Sequence, residues 1–353
     1  MKNKLITCIL FVLIILNLIT GHVSAYSSDD LSLYARAAVL MDAENGRILY
    51  GKNQNEVLPM ASTTKIMTCI VALEYGNPED IVAVTEYAAS MPKVKLGMKK
   101  GDYYKLEDLL YSLMLESHND TAVAIAQHIG NEISKEDSLQ AFIDLMNQKA
   151  RDIGCADTFF ITPNGLDATY TIQQDDGTNT ELVHSTTAFE LAKIMRYCTL
   201  ISTMKEEFLK ITQKRDAAVY KYKKNEDDTF SSYGNPITCH NHNALLDSME
   251  GAMTGKTGYT AKAGYCYVAA IMKNNHVYIV ALLACGWPGH KGYKWSDTRE
   301  LIAYGTKMYT YKKFNDVNLM TQIPKTINVY HSVSGGIYGF ETIEILVTSP
   351  GLG

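Results

Sequence analysis

The sequence predicts a mixed α/β (α+β) protein: one antiparallel sheet gathered from both ends of the folded region, with a helical lobe inserted between. Three observations carry this. Strand-like runs with a turn signal lie near residues 36–50, helix-spaced apolar residues fill 63–198, and β-rich runs return over 264–284. Strands at both ends with helices in the middle describe one layered domain rather than two consecutive ones.

The elements follow in chain order. Arg36 to Tyr50 alternates loosely around Glu44-Asn45-Gly46, and Asn-Gly between apolar runs signals a hairpin because both turn positions accept positive φ. Thr63 to Tyr75 reads as a helix, with Ile66, Ile70 and Leu73 at helical spacing and Gly76-Asn77-Pro78 as its stop. Leu106–Glu116 and Ala122–Ile129 read as two helices parted by Ser117-His118-Asn119-Asp120. Ser138–Ile153 is an amphipathic helix ending at Gly154, Thr162-Pro163-Asn164-Gly165 is a tight turn, and Thr186–Cys198 returns to helix. The polar stretches 170–180 and 214–234 read as surface loops or insertions. Gly264–Ala270 and Val277–Ala284 form a second hairpin across Lys273-Asn274-Asn275-His276, and Asp297–Tyr309 closes the domain as a helix.

The ends read differently. Lys2 and Lys4 precede an apolar run from Leu5 to Ile19, and Val23-Ser24-Ala25 supplies small residues for cleavage. The run is short of the roughly 20 residues a spanning helix needs, so residues 1–25 are expected to be a signal peptide and the protein to be secreted. Residues 26–314 then form the principal domain. Residues 315–353 form a short β-rich tail, with Ile327 and Val329 and then Ile343, Ile345 and Val347 alternating around Gly335-Gly336. No amphipathic membrane anchor is evident near Gly353.

The net charge is −5 and grows more negative once the leader's lysines leave, which disfavours nucleic acid and anionic lipid as partners. Cys69, Cys155, Cys198, Cys239, Cys266 and Cys285 are widely spaced and sit in apolar runs, so buried free thiols are expected rather than a disulfide framework. His240 and His242 beside Cys239 match no zinc spacing, and no metal is expected.

Three short motifs occur in order: Ser62-Thr63-Thr64-Lys65, Ser117-His118-Asn119 and Lys256-Thr257-Gly258. The first pattern is weak alone, since Ser90–Lys93 and Ser202–Lys205 repeat it, but only Ser62 opens an apolar helix. Serine and lysine three apart share a helix face, and a lysine serves as base only when burial or a second cation lowers its pKa. Lys256 would supply that cation. Taken singly, Ser62 is equally an ordinary N-cap, Ser117 or Asn119 a helix cap, and Lys256-Thr257-Gly258 a turn or strand edge. The ordered trio is harder to assign to chance. A strand edge with Gly258 leaves the backbone open to a peptide.

These motifs resemble those of penicillin-binding proteins and class A β-lactamases. The wider matches resemble the D-alanyl-D-alanine carboxypeptidase family: Leu58-Pro59-Met60-Ala61 before Ser62, Asp108-Leu109-Leu110-Tyr111 before Ser117, Thr162 to Asp167, and Gly255 to Thr260 with Ala263-Gly264. The resemblance spans roughly residues 30 to 312. It implies a β-lactamase/DD-peptidase-like antiparallel sheet flanked by helices, with the active site beside a helical subdomain. It also implies an acyl-enzyme on Ser62, Lys65 as base, Ser117 as proton relay and Asn119 on the peptide. Lys256 and Thr257 would bind the terminal carboxylate, and the Ser62 and Tyr259 amides would form the oxyanion hole beside Gly258. The expected partners are peptidoglycan stem peptides ending in D-Ala-D-Ala, and β-lactams as inhibitors, with no cofactor. The chain departs from the family at His118, where glycine is common; its imidazole is expected to face solvent. The alternatives are a DD-endopeptidase on cross-links and a penicillin-binding sensor without turnover. A β-lactamase fits less well, because no Glu-x-x-x-Asn element is evident between the motifs.

Overall fold

Strands β1 (Ala37–Asp42) and β2 (Ile48–Lys52) form the expected hairpin, with Gly46 at φ 77° in its turn. That left-handed backbone suits glycine, which has no Cβ to clash. The structure is a computed structural model that describes residues 31–174 and 177–310, together with the backbone of 326–332 and 338–344. The expected signal peptide therefore lies outside the described residues, as do Gly335-Gly336, Ile345, Val347 and the chain's last residues.

A 3₁₀ turn, Ala61–Thr64, leads into α1 (Lys65–Tyr75), buried along Lys65–Leu73. Short strands β3 (Ile81–Ala83) and β4 (Tyr103–Lys105) follow. Helix α2 (Leu106–Tyr111) is α-helical for only part of the expected span; over Ser112–Glu116 it widens into a π turn, a distortion common beside functional sites. Then come α3 (Asn119–Asn131) and α4 (Ser138–Ile153). Helix α4 has the predicted bounds, because the Asp137 side chain caps the Gln140 amide and Gly154, at φ 81°, ends the helix.

The two polar stretches are not loops. β5 (Thr169–Gln173) pairs with β6 (Asn179–Val183). After α5 (Ala188–Arg196) and α6 (Lys205–Gln213), β7 (Asp216–Lys224) pairs with β8 (Phe230–His240). Both hairpins are mostly exposed, so few apolar positions marked them in the sequence; Val219 and Cys239 are the buried anchors of the second. The chain then returns to the central sheet as β9 (Ala252–Thr260), β10 (Gly264–Lys273) and β11 (His276–Leu283), and α7 (Tyr293–Met308) closes it. Asn274 and Asn275, at φ 54° and 58°, make the two-residue turn between β10 and β11.

The central sheet has the order β2-β1-β11-β10-β9, every pair antiparallel. Both faces are covered, so its strands read as nearly continuous apolar runs. Ala37, Val39, Met41, Ile279 and Ala281 pack under the helical lobe, while Ala38, Leu40, Val280 and Leu282 pack with Leu301 and Ile302 of α7. β9 lies at the edge and leaves one side of its backbone for the site. All six expected thiols are buried and unbridged. The chain divides between Tyr309 and Thr310 into two compact units. In the second, β12 (Thr326–Ser332) pairs antiparallel with β13 (Tyr338–Glu344).

One glycine fixes how closely the lobe approaches the 3₁₀ turn. Gly165 is at φ 83°, and a Cβ there would lie 2.0 Å from the Ala61 carbonyl oxygen. Gly101 has the same φ with nothing within 4 Å. Gly101→Ala is expected to lose only the backbone penalty of about 1–2 kcal/mol, and Gly165→Ala a further 1–3 kcal/mol, roughly, from overpacking. Denaturant unfolding of the two variants checks this; equal losses would contradict the close approach.

Candidate active site

Ser62 sits in the 3₁₀ turn, one residue after Ala61, whose φ is 49°. Lys65 follows as the first residue of α1, so its side chain folds back along the same face. Lys65 Nζ lies 2.8 Å from Ser62 Oγ, 3.0 Å from Asn119 Oδ1, and in contact with the Asn164 carbonyl. Three oxygens thus surround one nitrogen with no exposed surface on its residue. The other two S-x-x-K matches make no such arrangement: Ser90 Oγ donates to the Tyr87 carbonyl, and Ser202 Oγ to Glu74 Oε1.

Asn119 and Ser117 come from the break after the π turn. Ser117 adopts φ 67°, and its buried Oγ has no hydrogen-bond partner. The Asn119 amide donates to the Val94 carbonyl at 2.8 Å, while its side-chain nitrogen reaches Pro92 O at 3.3 Å. The Asp120 carboxylate accepts the amides of Leu96, Gly97 and Met98 and so holds the loop over this break.

His118 does not face solvent. It is 8% exposed, and Nδ1 lies 2.8 Å from Ser112 Oγ, which also meets Thr121 Oγ1. The left-handed turn at Ser117 swings the imidazole inward, where the π turn's Ser112 supplies a partner. Burial lowers its pKa, against the opposing charges of Asp120 and Glu116. Neighbouring Glu116 accepts the His240 amide and pairs with His242 at 2.8 Å. Burial works to raise the Glu116 carboxyl, but these two partners outweigh it and hold it below the usual range. His240 pairs with Asp216, and Cys239 is buried. Among the described residues no three His, Cys, Asp or Glu side chains gather as a metal set.

The third motif lies on β9. Gly258 faces the 3₁₀ turn so closely that a Cβ would stand 2.8 Å from the Ser62 nitrogen. Lys256 is 2% exposed and donates to the Thr257 carbonyl at 2.9 Å. Tyr259 is 40% exposed and leans on the Tyr265 ring at 4.7 Å. Ser62, Ser117, Asn119, Thr257, Gly258 and Tyr259 all border one cleft of about 680 Å³, and Lys65 and Lys256 lie buried behind them. Every residue singled out in the three motifs is therefore brought to one place. Burial first, then the charge of Lys256, hold Lys65 well below the ordinary lysine range, with Asp120 acting the other way. Burial brings Lys256 to about 7.

Sequence reasoning missed several contributors. The Asn164 carbonyl belongs to the recognised turn, but every residue has a carbonyl and nothing in the sequence marks this one. Thr68 of α1 pins that turn by donating to the Pro163 carbonyl at 2.6 Å. Lys294 and Trp295 also border the cleft; Lys294 is 6% exposed, with Nζ 4.8 Å from the Tyr265 ring centroid and 4.6 Å from that of Trp295. Burial lowers its pKa too. The closing helix begins at Tyr293, four residues before the expected Asp297, so nothing in the sequence marked Lys294.

Comparison with known proteins agrees with this geometry. Residues 23–285 match the peptidase S11 family, described as D-alanyl-D-alanine carboxypeptidase, and the chain belongs to that family. The D-alanyl-D-alanine carboxypeptidase DacF of Bacillus subtilis (strain 168) is 30% identical over 302 residues, covering 82% of this chain and 67% of the relative. A D-alanyl-D-alanine endopeptidase of Escherichia coli (strain K12) is 24% identical over 82% of this chain and 86% of its own length. Among solved structures, a D-alanyl-D-alanine carboxypeptidase from Mycobacterium tuberculosis H37Rv superposes with a TM-score of 0.65 at 26% identity, covering 81% of this chain and 96% of that one. The likeness bears out the expected antiparallel sheet with helices.

The buried lysines make stability depend on pH with a definite sign. An unfolded chain binds a proton on Lys256 up to the usual lysine range, whereas the folded chain releases it at about 7. Stability from this group therefore rises with pH from about 7 towards about 10.4. Lys256→Met is expected to be more stable than the wild type below pH 7, with the gap closing as pH rises. Urea unfolding across that range tests it; a gap independent of pH would contradict the buried charge.

Proposed function

We propose that this protein removes the terminal D-alanine from peptidoglycan stem peptides ending in D-Ala-D-Ala, through an acyl-enzyme on Ser62, and that β-lactams acylate the same serine. The observation that carries this reading is the 2.8 Å contact between Lys65 Nζ and Ser62 Oγ in a wall that disfavours the ammonium. A neutral amine has two hydrogens and one lone pair. With Asn119 Oδ1 and the Asn164 carbonyl taking the hydrogens, the lone pair faces the Ser62 hydroxyl and accepts its proton as Oγ attacks the peptide carbonyl.

The developing oxyanion meets the Ser62 and Tyr259 amides, an arrangement in which each fixed donor contributes about 3–4 kcal/mol to the transition state. Ser117 Oγ, which has no partner of its own, passes a proton from Lys65 to the leaving D-alanine nitrogen. Collapse breaks the peptide bond and leaves an ester on Ser62; water attacks that ester by the reverse proton route, releasing the shortened peptide. The substrate lies along the free edge of β9 as an added strand. The Asn119 side chain holds its backbone, and Lys256 and Thr257 receive its carboxylate, with Lys294 adding positive charge to the same wall.

Export after Ala25 and action outside the cytoplasm belong to the same proposal, supported by the leader-like sequence over residues 1–25. Among the described residues no helix is long and apolar enough to cross a membrane.

Release of free D-alanine from a D-Ala-D-Ala peptide tests the reading, with Ser62→Ala expected to lose at least about 1,000-fold in kcat. Cleavage of a cross-linked dimer without release from the linear peptide would point instead to an endopeptidase, the activity named for one relative. Penicillin attachment at Ser62 with neither cleavage would point to a sensor. Undiminished release by Ser62→Ala would overturn the nucleophile.

A further inference from the structure

His184 belongs to none of the three motifs and does not border the cleft, yet its ring joins two of the segments that build it. It follows β6 and is 2% exposed. Nδ1 lies 2.9 Å from the Ile161 amide nitrogen and 3.4 Å from that of Thr162. A backbone N–H only donates, so Nδ1 is the bare acceptor and the ring hydrogen sits on Nε2. Nε2 then donates to Thr64 Oγ1 at 2.8 Å, and Thr64 Oγ1 donates to the Ala61 carbonyl at 2.8 Å. Burial, with the Lys65 charge, lowers the ring's pKa to about 3, which keeps it in this one neutral form at working pH.

The end of that chain matters most. The Ala61 carbonyl and the Ser62 N–H are opposite ends of one planar trans peptide unit. Whatever orients the carbonyl therefore orients the N–H. Ala61 holds a left-handed φ of 49°, which an alanine adopts only when its surroundings impose it. Two neighbours leave room for this plane and no more: Gly165 at the carbonyl and Gly258 at the Ser62 nitrogen.

We propose that His184 is a positioning residue for the oxyanion hole, acting through Thr64 to fix the Ala61–Ser62 peptide plane so that the Ser62 N–H faces the reacting carbonyl. This rests on the reading above, in which Ser62 is the nucleophile and its amide an oxyanion donor. The other ring nitrogen holds the chain entering the Asn164 turn, whose carbonyl binds Lys65. One imidazole thus registers both the oxyanion donor and the base.

The two halves of the ring are separable by substitution. His184→Asn places an amide oxygen near the Nδ1 position and loses the reach to Thr64. His184→Gln keeps a donor near Nε2 and gives up the acceptor at Nδ1. Acylation by a β-lactam is measured together with the infrared ester carbonyl band of the acyl-enzyme, which moves to higher wavenumber when oxyanion hydrogen bonds weaken. Thr64→Val and His184→Asn are expected to slow acylation about 10- to 100-fold, below the roughly 100- to 1,000-fold loss for removing a donor outright. They should raise the band and lower kcat with KM within about twofold. His184→Gln is expected to keep the wild-type band. An unmoved band in both Thr64→Val and His184→Asn would overturn the proposal, as would equal shifts in His184→Asn and His184→Gln. If Thr64→Val fails to fold, the His184 pair alone decides. Failure of the wild type to acylate at Ser62 would overturn the proposed function itself, an outcome distinct from all of these.

Discussion

Two lysines withdrawn from water behind one cleft are the constraint on which the rest of the site depends. An ammonium without its hydration shell is costly, and a second one nearby compounds the cost. The nearby carboxylate of Asp120 acts against this, but burial and the charge of Lys256 outweigh it. The proton on Lys65 is therefore weakly held, which is the property the proposed role of its nitrogen as base to Ser62 requires. A carboxylate paired directly with either lysine would favour the ammonium and remove that property.

The fold produces this arrangement by bringing segments far apart in sequence against one 3₁₀ turn. β9 supplies Lys256 from the sheet edge, α3 supplies Asn119, and the turn after α4 supplies the Asn164 carbonyl. Side-chain-free approaches make it possible: Gly258 faces the Ser62 amide and Gly165 faces the Ala61 carbonyl. Buried polar groups then hold the backbone in place. Thr68 fixes the Pro163 carbonyl, and His184 with Thr64 fixes that of Ala61.

Much of this was legible because the relevant signals are local. The Asn45-Gly46 turn, the caps of α4 and the apolar runs of β10 and β11 each state their structure in a few residues. The ordered motifs located Ser62, Lys65, Ser117, Asn119 and the β9 residues, and the structure collects all of them. What stayed hidden depends on tertiary context. The hairpins β5–β6 and β7–β8 are mostly exposed, with only Val219 and Cys239 of the second buried, so their polar composition reads as loop. The inward turn of His118 follows from a left-handed serine that no composition rule marks. The Asn164 carbonyl is backbone chemistry, and Lys294 reaches the cleft only because α7 packs beside β10.

The most direct measurement is the titration of Lys65 itself, followed by NMR on protein carrying isotope-labelled lysine, with Lys65→Arg to assign the signal. Lys65 is expected to lose its proton well below the ordinary lysine range, and to do so at higher pH when Lys256 is replaced by methionine. A Lys65 signal that stays fully protonated up to about pH 10 would contradict the buried-base chemistry proposed for this site.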